Sequence, residues 1–325
     1  MKLLLSDLVE AARETTRRQR GVVSEATLRA EAEELGSRST AGRFAAALAA
    51  TGVSVIAEVK GASPVRGTLR DDFVPVDLAA AYADNGAAAV SVLTEQHFFA
   101  GDIEHLLAVS SSIELPTLRK DFVTELYQVF RAATAGASAV LLIAELLDGA
   151  ALPEFVEAAR SVGLDALVEF HRPSLLAPSV DAGSGIVGIN NRNLDTMELD
   201  FEHALRLAPE LPRDVLTVAE SAVSDAEDVR RVARRRFDAI LVGTALVTAD
   251  DPGMKLRELV EAGGAENAGP AAGDAGEGED VDGGEAGDQQ QKDATARAAG
   301  QRATAEDLEE LDLPDDIDLS GAVLL

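Results

Sequence analysis

Five lysines stand in this chain beside 24 arginines, and two of the five, Lys60 and Lys120, come directly where short apolar runs stop. An ammonium group sheds its proton at accessible pH when partly buried, whereas a guanidinium does not. A chain that otherwise chooses arginine has kept lysine at two positions suited to proton transfer. Carboxylates stand at matching places. Glu58 precedes Lys60 by two residues, Asp121 follows Lys120, and Glu145, Glu169 and Glu220 close three further runs. Asn190 and Arg192 close another, and Thr94 one more. Such a set suits general acid–base chemistry on a small polar substrate; the plain alternative is a set of ordinary ion pairs.

A second group reads as an anion site. Ala219-Glu220-Ser221 ends the seventh apolar run, and Val242-Gly243-Thr244-Ala245 ends the eighth and leads into a short helix. Backbone N–H groups at such a helix start can cradle a phosphate, although a simple turn would also use Gly243. Two other patterns are discounted. Gly183, Gly185 and Gly188 have the spacing of a dinucleotide fingerprint, but they lie before and within the sixth run instead of between a strand and a helix. His171, two residues after Glu169, loosely resembles half of a metal pair, and with four histidines in all it reads as a packed or solvated side chain. With no cysteine, the chain has no disulfide, thiolate zinc site or catalytic thiol. These residues give no metal site.

The elements that must position these groups follow from the apolar runs. They are Val53–Val59, Ala88–Leu93, Leu115–Leu118, Ala139–Ile143, Ala166–Val168, Ile186–Ile189, Val215–Val218 and Ala239–Val242. Short and rich in Val, Ile and Leu, they suit strands buried on both faces of a parallel sheet. Amphipathic stretches such as Val76–Asn85, Glu125–Thr134 and Asp225–Arg235 lie between them, with Gly86, Gly136 and Gly163 where helices should end. Eight β/α units in about 200 residues predict an α/β fold, a (β/α)8 TIM barrel. Residues 1–50 add one or two extra N-terminal helices, a lid for the barrel bottom or rim. The barrel domain, with this extension, is placed at 1–262.

In order, the chain carries Ala57-Glu58-Val59-Lys60-Gly61-Ala62-Ser63-Pro64, Ser91-Val92-Leu93-Thr94, Leu118-Arg119-Lys120-Asp121-Phe122, Leu141-Leu142-Ile143, Val168-Glu169, Gly188-Ile189-Asn190-Asn191-Arg192-Asn193-Leu194 and Ala219-Glu220-Ser221. Together these motifs closely resemble the indole-3-glycerol phosphate synthase family over roughly residues 40–262. The resemblance implies a lyase of tryptophan biosynthesis. It would close the phosphorylated small molecule 1-(2-carboxyphenylamino)-1-deoxyribulose 5-phosphate to indole glycerol phosphate, losing carbon dioxide and water. The chemistry that the resemblance implies needs no metal or cofactor. Carried over by motif, Lys120 is the general acid of ring closure, with Asp121 and Phe122 shaping its surroundings, and Glu169 is the base side of the pair. Glu58 and Lys60 serve the ring-closed intermediate and its dehydration. Asn190 bonds the substrate hydroxyl region and Glu220 orients groups from the seventh strand. Arg192, Ser221, Gly243 and Thr244 bind phosphate, with Lys60 near it and Ser63 at its border. Three positions depart from the pattern, which usually has a basic residue at Gly61, a serine at Val65 and a glycine at Ala222. A methyl group at Ala222 would crowd an oxygen approaching the backbone. Phosphoribosylanthranilate isomerase has the same fold and phosphate cradle, but would not need Glu58, Lys60, Lys120 and Glu169 together.

Charge bounds the partners. With 57 acidic and 29 basic residues the net charge is −28, a surface that repels nucleic acid. No run of eighteen apolar residues predicts a membrane span, and the acids at Asp7 and Glu10 interrupt the apolar start too soon for a signal peptide. A reducing, cytoplasmic setting is the expectation. Residues 264–325 hold 17 acidic and 3 basic side chains, half of the net charge. Up to about Gly300 this stretch has almost no large apolar residue, so 263–325 is expected to be a disordered acidic tail. The leucines of its last twenty residues suit either a peptide that folds on a protein partner or a solvating tail. A chain ending at Gly263 should keep kcat within about threefold of the full chain, less than roughly 1 kcal/mol of barrier. A much larger loss at matched salt would show that the tail serves the site.

Overall fold

The computed structural model describes residues 5–36, 41–147 and 149–264. The acidic segment expected to be disordered lies outside these residues from position 265 on, whereas Gly263, expected at its start, is the last residue of a helix. Eight parallel strands close into a barrel. They are β1 (Ser54–Val59), β2 (Ala89–Leu93), β3 (Thr117–Lys120), β4 (Ala139–Ile143), β5 (Asp165–Phe170), β6 (Ile186–Asn190), β7 (Leu216–Glu220) and β8 (Ala239–Val242), with β8 paired to β1. The chain is a (β/α)8 barrel, as its runs of Val, Ile and Leu require.

Several strands extend further than their apolar residues. The third, expected at Leu115–Leu118, runs instead from Thr117 to Lys120. Pro116 lacks an N–H and stays outside it, while Arg119 and Lys120 remain paired with Val92 and Leu93. In the same way β5 takes in Glu169, β6 takes in Asn190 and β7 takes in Glu220. A polar residue stays in a ladder when its side chain points into the barrel mouth, and apolar runs alone do not reveal that.

Alternate residues face inward, and the register stacks them in layers. From Glu58 the pairing steps through Ser91 and Leu118 to Ala139, then Asp165, and onward from Glu169 through Gly188 to Val218. Barrel tilt lifts each second strand by two residues, so alternate strands share a level. One interior level therefore comprises Ile56, Leu118, Leu167 and Val218, all buried. The next level toward the strand C-termini comprises Glu58, Lys120, Glu169 and Glu220. The outward residues of each strand, such as Val55, Ala57 and Val59, pack under the surrounding helices.

Three helices precede the barrel, where one or two were expected: α1 (Leu5–Val22), α2 (Glu25–Gly36) and α3 (Arg43–Leu48). Only α3 closes the bottom. Phe44 and Leu48 are wholly buried in the barrel-interior cluster, and the amides of Phe44 and Ala45 donate to Asp165 Oδ2 at 3.1 and 3.0 Å. In contrast, α1 lies at the opposite rim, where Arg13 donates to Thr124 beyond β3 and Arg18 to Gln96 beyond β2. Six residues were too few for the helical period to announce α3 beforehand. Helix α2 packs outside the barrel against α7 (Leu126–Thr134).

Four more helices matter for the site: α5 (Gln96–Phe99), α10 (Glu202–Leu207), α12 (Thr244–Val247) and α13 (Pro252–Gly263), which packs beside β1. Phe44→Ala should lower unfolding free energy by about 3 kcal/mol or more, because a fully buried ring leaves a cavity at the barrel floor. Urea titration with folding confirmed by circular dichroism checks this, and a loss below about 1 kcal/mol would mean that the floor closes without α3.

Candidate active site

The charged interior level is a connected cluster. Lys120 Nζ donates to Glu169 Oε2 at 3.0 Å and lies 3.5 Å from Glu220 Oε2. Asn190 Nδ2 donates to Glu169 Oε1 at 2.8 Å. Lys60 Nζ pairs with Glu58 Oε1 at 2.6 Å. Two glycines make the space. A Cβ on Gly243 would collide with Glu58 Oε1 and lie 2.7 Å from Lys60 Nζ, and one on Gly188 would collide with Glu220 Oε1. Gly188, which the sequence offered only as a false fingerprint, thus admits a carboxyl group to the barrel mouth.

Burial and charge set the protons. Burial pulls the Lys120 pKa down, but Glu169, Glu220 and Glu58 outweigh it and raise it above the usual lysine value, so, against the expectation from burial alone, the ammonium holds its proton here. Burial favours a proton on Glu169, yet Lys120 and hydrogen bonds from Glu220 and Asn190 keep it ionised, below the ordinary carboxylate pKa. Glu220 goes the other way. Burial and then the charge of Glu169 hold its proton well above the carboxylate range. Its Oε1 has no hydrogen-bond partner. The cluster thus offers an ammonium, a carboxylate and a neutral carboxylic acid within reach of one point.

These groups open into a cavity of about 730 Å³ that also takes in Ser63, Arg192, Ser221, Gly243 and Thr244, so it brings together every expected site residue. One side is polar. Ser221 and Ala222 both have left-handed backbone, φ +64° and +62°, which turns the chain after β7 toward the start of α12. Asn191, buried beneath them, donates to the Ser221 carbonyl at 3.1 Å and accepts from the Ala204 amide at 2.8 Å. Gly243 caps α12: its carbonyl accepts the Leu246 and Val247 amides at 3.0 Å, while the Thr244 and Ala245 amides at the first two helical positions have no intrahelical acceptor. Arg192 lines the cavity with one guanidinium N–H committed to Met197 O at 3.0 Å, and burial pulls its pKa down. Ser63 accepts from the Arg66 amide, which tightens the loop after β1.

The other side is apolar, and the sequence did not announce it. Leu8 of α1, Phe99, Leu141, Ile143, Leu194 and Met197 line it with Phe122. Phe99 meets Phe122 with ring centroids 6.1 Å apart. Buried Glu95 presents Phe99 by accepting the amides of His97, Phe98 and Phe99. A phenylalanine pair one turn after a strand was the available signal for Phe99; nothing local could have indicated Leu8.

Some strand-end residues serve elsewhere. Asp121 pairs with Arg119 at 2.8 Å and accepts from Thr94 at 2.6 Å, so it fixes the turn after β3 without touching Lys120. Glu145 accepts the amides of His171 and Arg172. The His171 ring turns to the Asn190 carbonyl and stacks on His203. Gly61 lies against Phe73, where a Cβ would come within 3.0 Å of the ring, so the aromatic ring crowds that position. Val65 is exposed at the cavity edge.

A closed (β/α)8 barrel whose C-terminal face opens a cavity onto buried, opposed titratable groups has the build of a barrel enzyme. The comparisons narrow this. The family model for indole-3-glycerol phosphate synthase matches residues 5–259. A protein of that name from Rhodopirellula baltica is 43% identical over 258 residues, covering 79% of this chain and 98% of the relative. Another from Mycolicibacterium gilvum is 41% identical over 260 residues, covering 80% and 94%. A mutant tryptophan synthase alpha-subunit from Pyrococcus furiosus has a TM-score of 0.50 at 16% identity, covers 65% of this chain and 99% of that one, and shows the shared fold alone. The chain belongs to the indole-3-glycerol phosphate synthase family, carboxy-lyases of tryptophan biosynthesis. Among the described residues no helix is long and apolar enough to cross a membrane.

At Ala222 the left-handed backbone adds a reason to restore glycine. Ala222→Gly should raise unfolding free energy by about 1 kcal/mol by removing a strained L-residue. It should also lower KM for the phosphorylated substrate with kcat nearly unchanged. Denaturant titration and steady-state kinetics check both, and an unchanged or higher KM would remove the crowding argument.

Proposed function

We propose that this chain converts 1-(2-carboxyphenylamino)-1-deoxyribulose 5-phosphate to indole-3-glycerol phosphate, carbon dioxide and water. The observation that carries the proposal is the Lys120–Glu169–Glu220 cluster facing the Glu58–Lys60 pair across one cavity with an anion cradle. Phosphate is held by Ser221, Gly243, Thr244 and Arg192, with Lys60 and Ser63 beside them. The aromatic ring lies on the apolar side, against Phe122.

Ring closure joins the carboxyl-bearing ring carbon to the ketose carbonyl carbon, and Lys120 gives its proton to the carbonyl oxygen. Carbon dioxide then leaves, and its bonding electron pair restores the ring. Dehydration expels the new hydroxyl as water. The Glu58–Lys60 pair supplies the proton, and Glu169 takes one from the neighbouring carbon. Asn190 bonds the hydroxyl region while holding Glu169, and Glu220 orients Lys120. One net proton comes from solvent. The same reading suits a cytoplasmic biosynthetic enzyme.

Incubating the purified protein with this substrate should produce indole fluorescence; none at any pH between 6 and 9 would overturn the reading. Lys120→Arg separates proton transfer from ion pairing. Arginine keeps the charge beside Glu169 and Glu220, but its larger planar fork cannot put a single N–H donor where Lys120 Nζ stands, and guanidinium gives up a proton even less readily than a lysine ammonium. We expect kcat to fall about 10²–10⁴-fold, roughly 3–5 kcal/mol of barrier, with KM changed much less. A kcat within fivefold of the parent would remove Lys120 from the proton-transfer role.

A further inference from the structure

Behind the catalytic level, two histidines join the ends of adjacent strands. The parallel ladder between β5 and β6 is in register from Val168–Val187 to Phe170–Ile189 and carries no pairing beyond. His171 and Asn190 are the next residues on each strand. There the His171 Nδ1 lies 2.8 Å from the Asn190 carbonyl oxygen. His203, buried on α10, places Nε2 2.6 Å from the His171 carbonyl oxygen. The two rings stack at 4.2 Å with 29° between their planes.

Carbonyl oxygens only accept, so each of these nitrogens must carry a hydrogen. Neutral His171 is therefore the Nδ1–H tautomer and neutral His203 the Nε2–H tautomer. A line of hydrogen bonds runs from α10 to the end of β5, and from there to the end of β6. It stops at the backbone of Asn190, whose side chain holds Glu169. The Asn190 Oδ1 also accepts the Arg192 amide at 2.9 Å, so this one residue aims both Glu169 and the start of the Arg192 loop.

We propose that His171, seated by His203, is a positioning residue that fixes the end of β6 so that Asn190 reaches Glu169. The inference rests on the function proposed above for Glu169 and Asn190. Neither histidine lines the cavity, so neither is a proton-transfer group for substrate.

The charged groups around the pair are already matched to one another. Arg206 of α10 and Asp200 just before that helix act on His203, and they are already paired to each other at 2.6 Å. From the loop after β4, Glu145 is occupied by the His171 and Arg172 amides, and the Arg172 side chain pairs with Asp195 at 3.6 Å. Glu202, next to His203, pairs with Arg231. These carboxylates are thus committed to other partners, and burial lowers the His203 pKa.

Amide side chains test the proposal, because Asn presents an N–H where His has Nδ1, and Gln presents one where His has Nε2. His171→Ala should lower kcat about tenfold or more while KM stays within about twofold, since misplacement by a fraction of an ångström acts on the proton-transfer geometry. His171→Asn should restore kcat to within about threefold of the parent, and His203→Gln should outperform His203→Ala in the same way. If His171→Ala matches the parent, or if Asn rescues nothing, the positioning role is overturned. If the alanine variants do not fold, long-range ¹⁵N–¹H spectra of the unaltered protein decide. Finding His171 as the Nε2–H tautomer at pH 8 would overturn the proposal, and the Nδ1–H tautomer supports it. An unaltered protein that forms no indole product would instead fail the proposed function, while the spectra would still read the histidines.

Discussion

Three carboxyl groups and two ammonium groups share the mouth of this barrel, and their mutual neutralisation constrains everything placed around them. Glu169 and Glu220 are each 1% exposed in their side chains, and Glu58 is 5% exposed. Buried charges of this kind persist only when paired. Glu58 has Lys60 and Glu169 has Lys120, which leaves one carboxyl over. Glu220 resolves the imbalance by keeping its proton. The cluster is then locally neutral while holding an acid, a base and an ammonium group at bonding distance. The same neutrality requires empty volume beneath the side chains, which Gly188 and Gly243 provide by having no Cβ.

The barrel's geometry, more than any loop, brings these groups together. Alternate strands contribute to one level, so Glu58, Lys120, Glu169 and Glu220 meet although they are spread over more than 160 residues. Loops supply the anion cradle and the apolar wall. The turn after β3 is fastened by buried Arg119, which reaches Thr94, Asp121 and the Gln128 carbonyl. Phe122 faces the cavity because this network holds the turn behind it.

What the sequence made legible follows the same division. Lys120, Glu169 and Glu220 stood out because each ends an apolar run, and the scarcity of lysine marked two of the positions. The barrel itself followed from eight runs at regular spacing. Contacts made by tertiary structure were not legible. Leu8 lies more than a hundred residues from Phe122, and no local pattern ties them. Asp121 looked like a partner for its neighbour Lys120, but adjacent residues of a strand point to opposite faces, so it pairs with Arg119 instead. The left-handed turn at Ser221 and Ala222 carries no glycine, so composition alone gave no sign of it.

The barrel floor has a consequence for the order in which the chain is secured. Phe44 and Ala45 are synthesised before any strand of the barrel, yet the carboxylate that receives their amides belongs to Asp165, about 120 residues later. Helix α3 also packs on β1, β2 and β5, so its seat does not exist until more than half of the barrel has been made. Closing so long a loop is slow, because its entropy is lost before any contact compensates. During vectorial synthesis the apolar face of Phe44 and Leu48 must wait without its partner. Helix α3, made before any strand of the barrel, is therefore among the last of these elements to be locked in place, and the floor closes only after the strands above it have assembled.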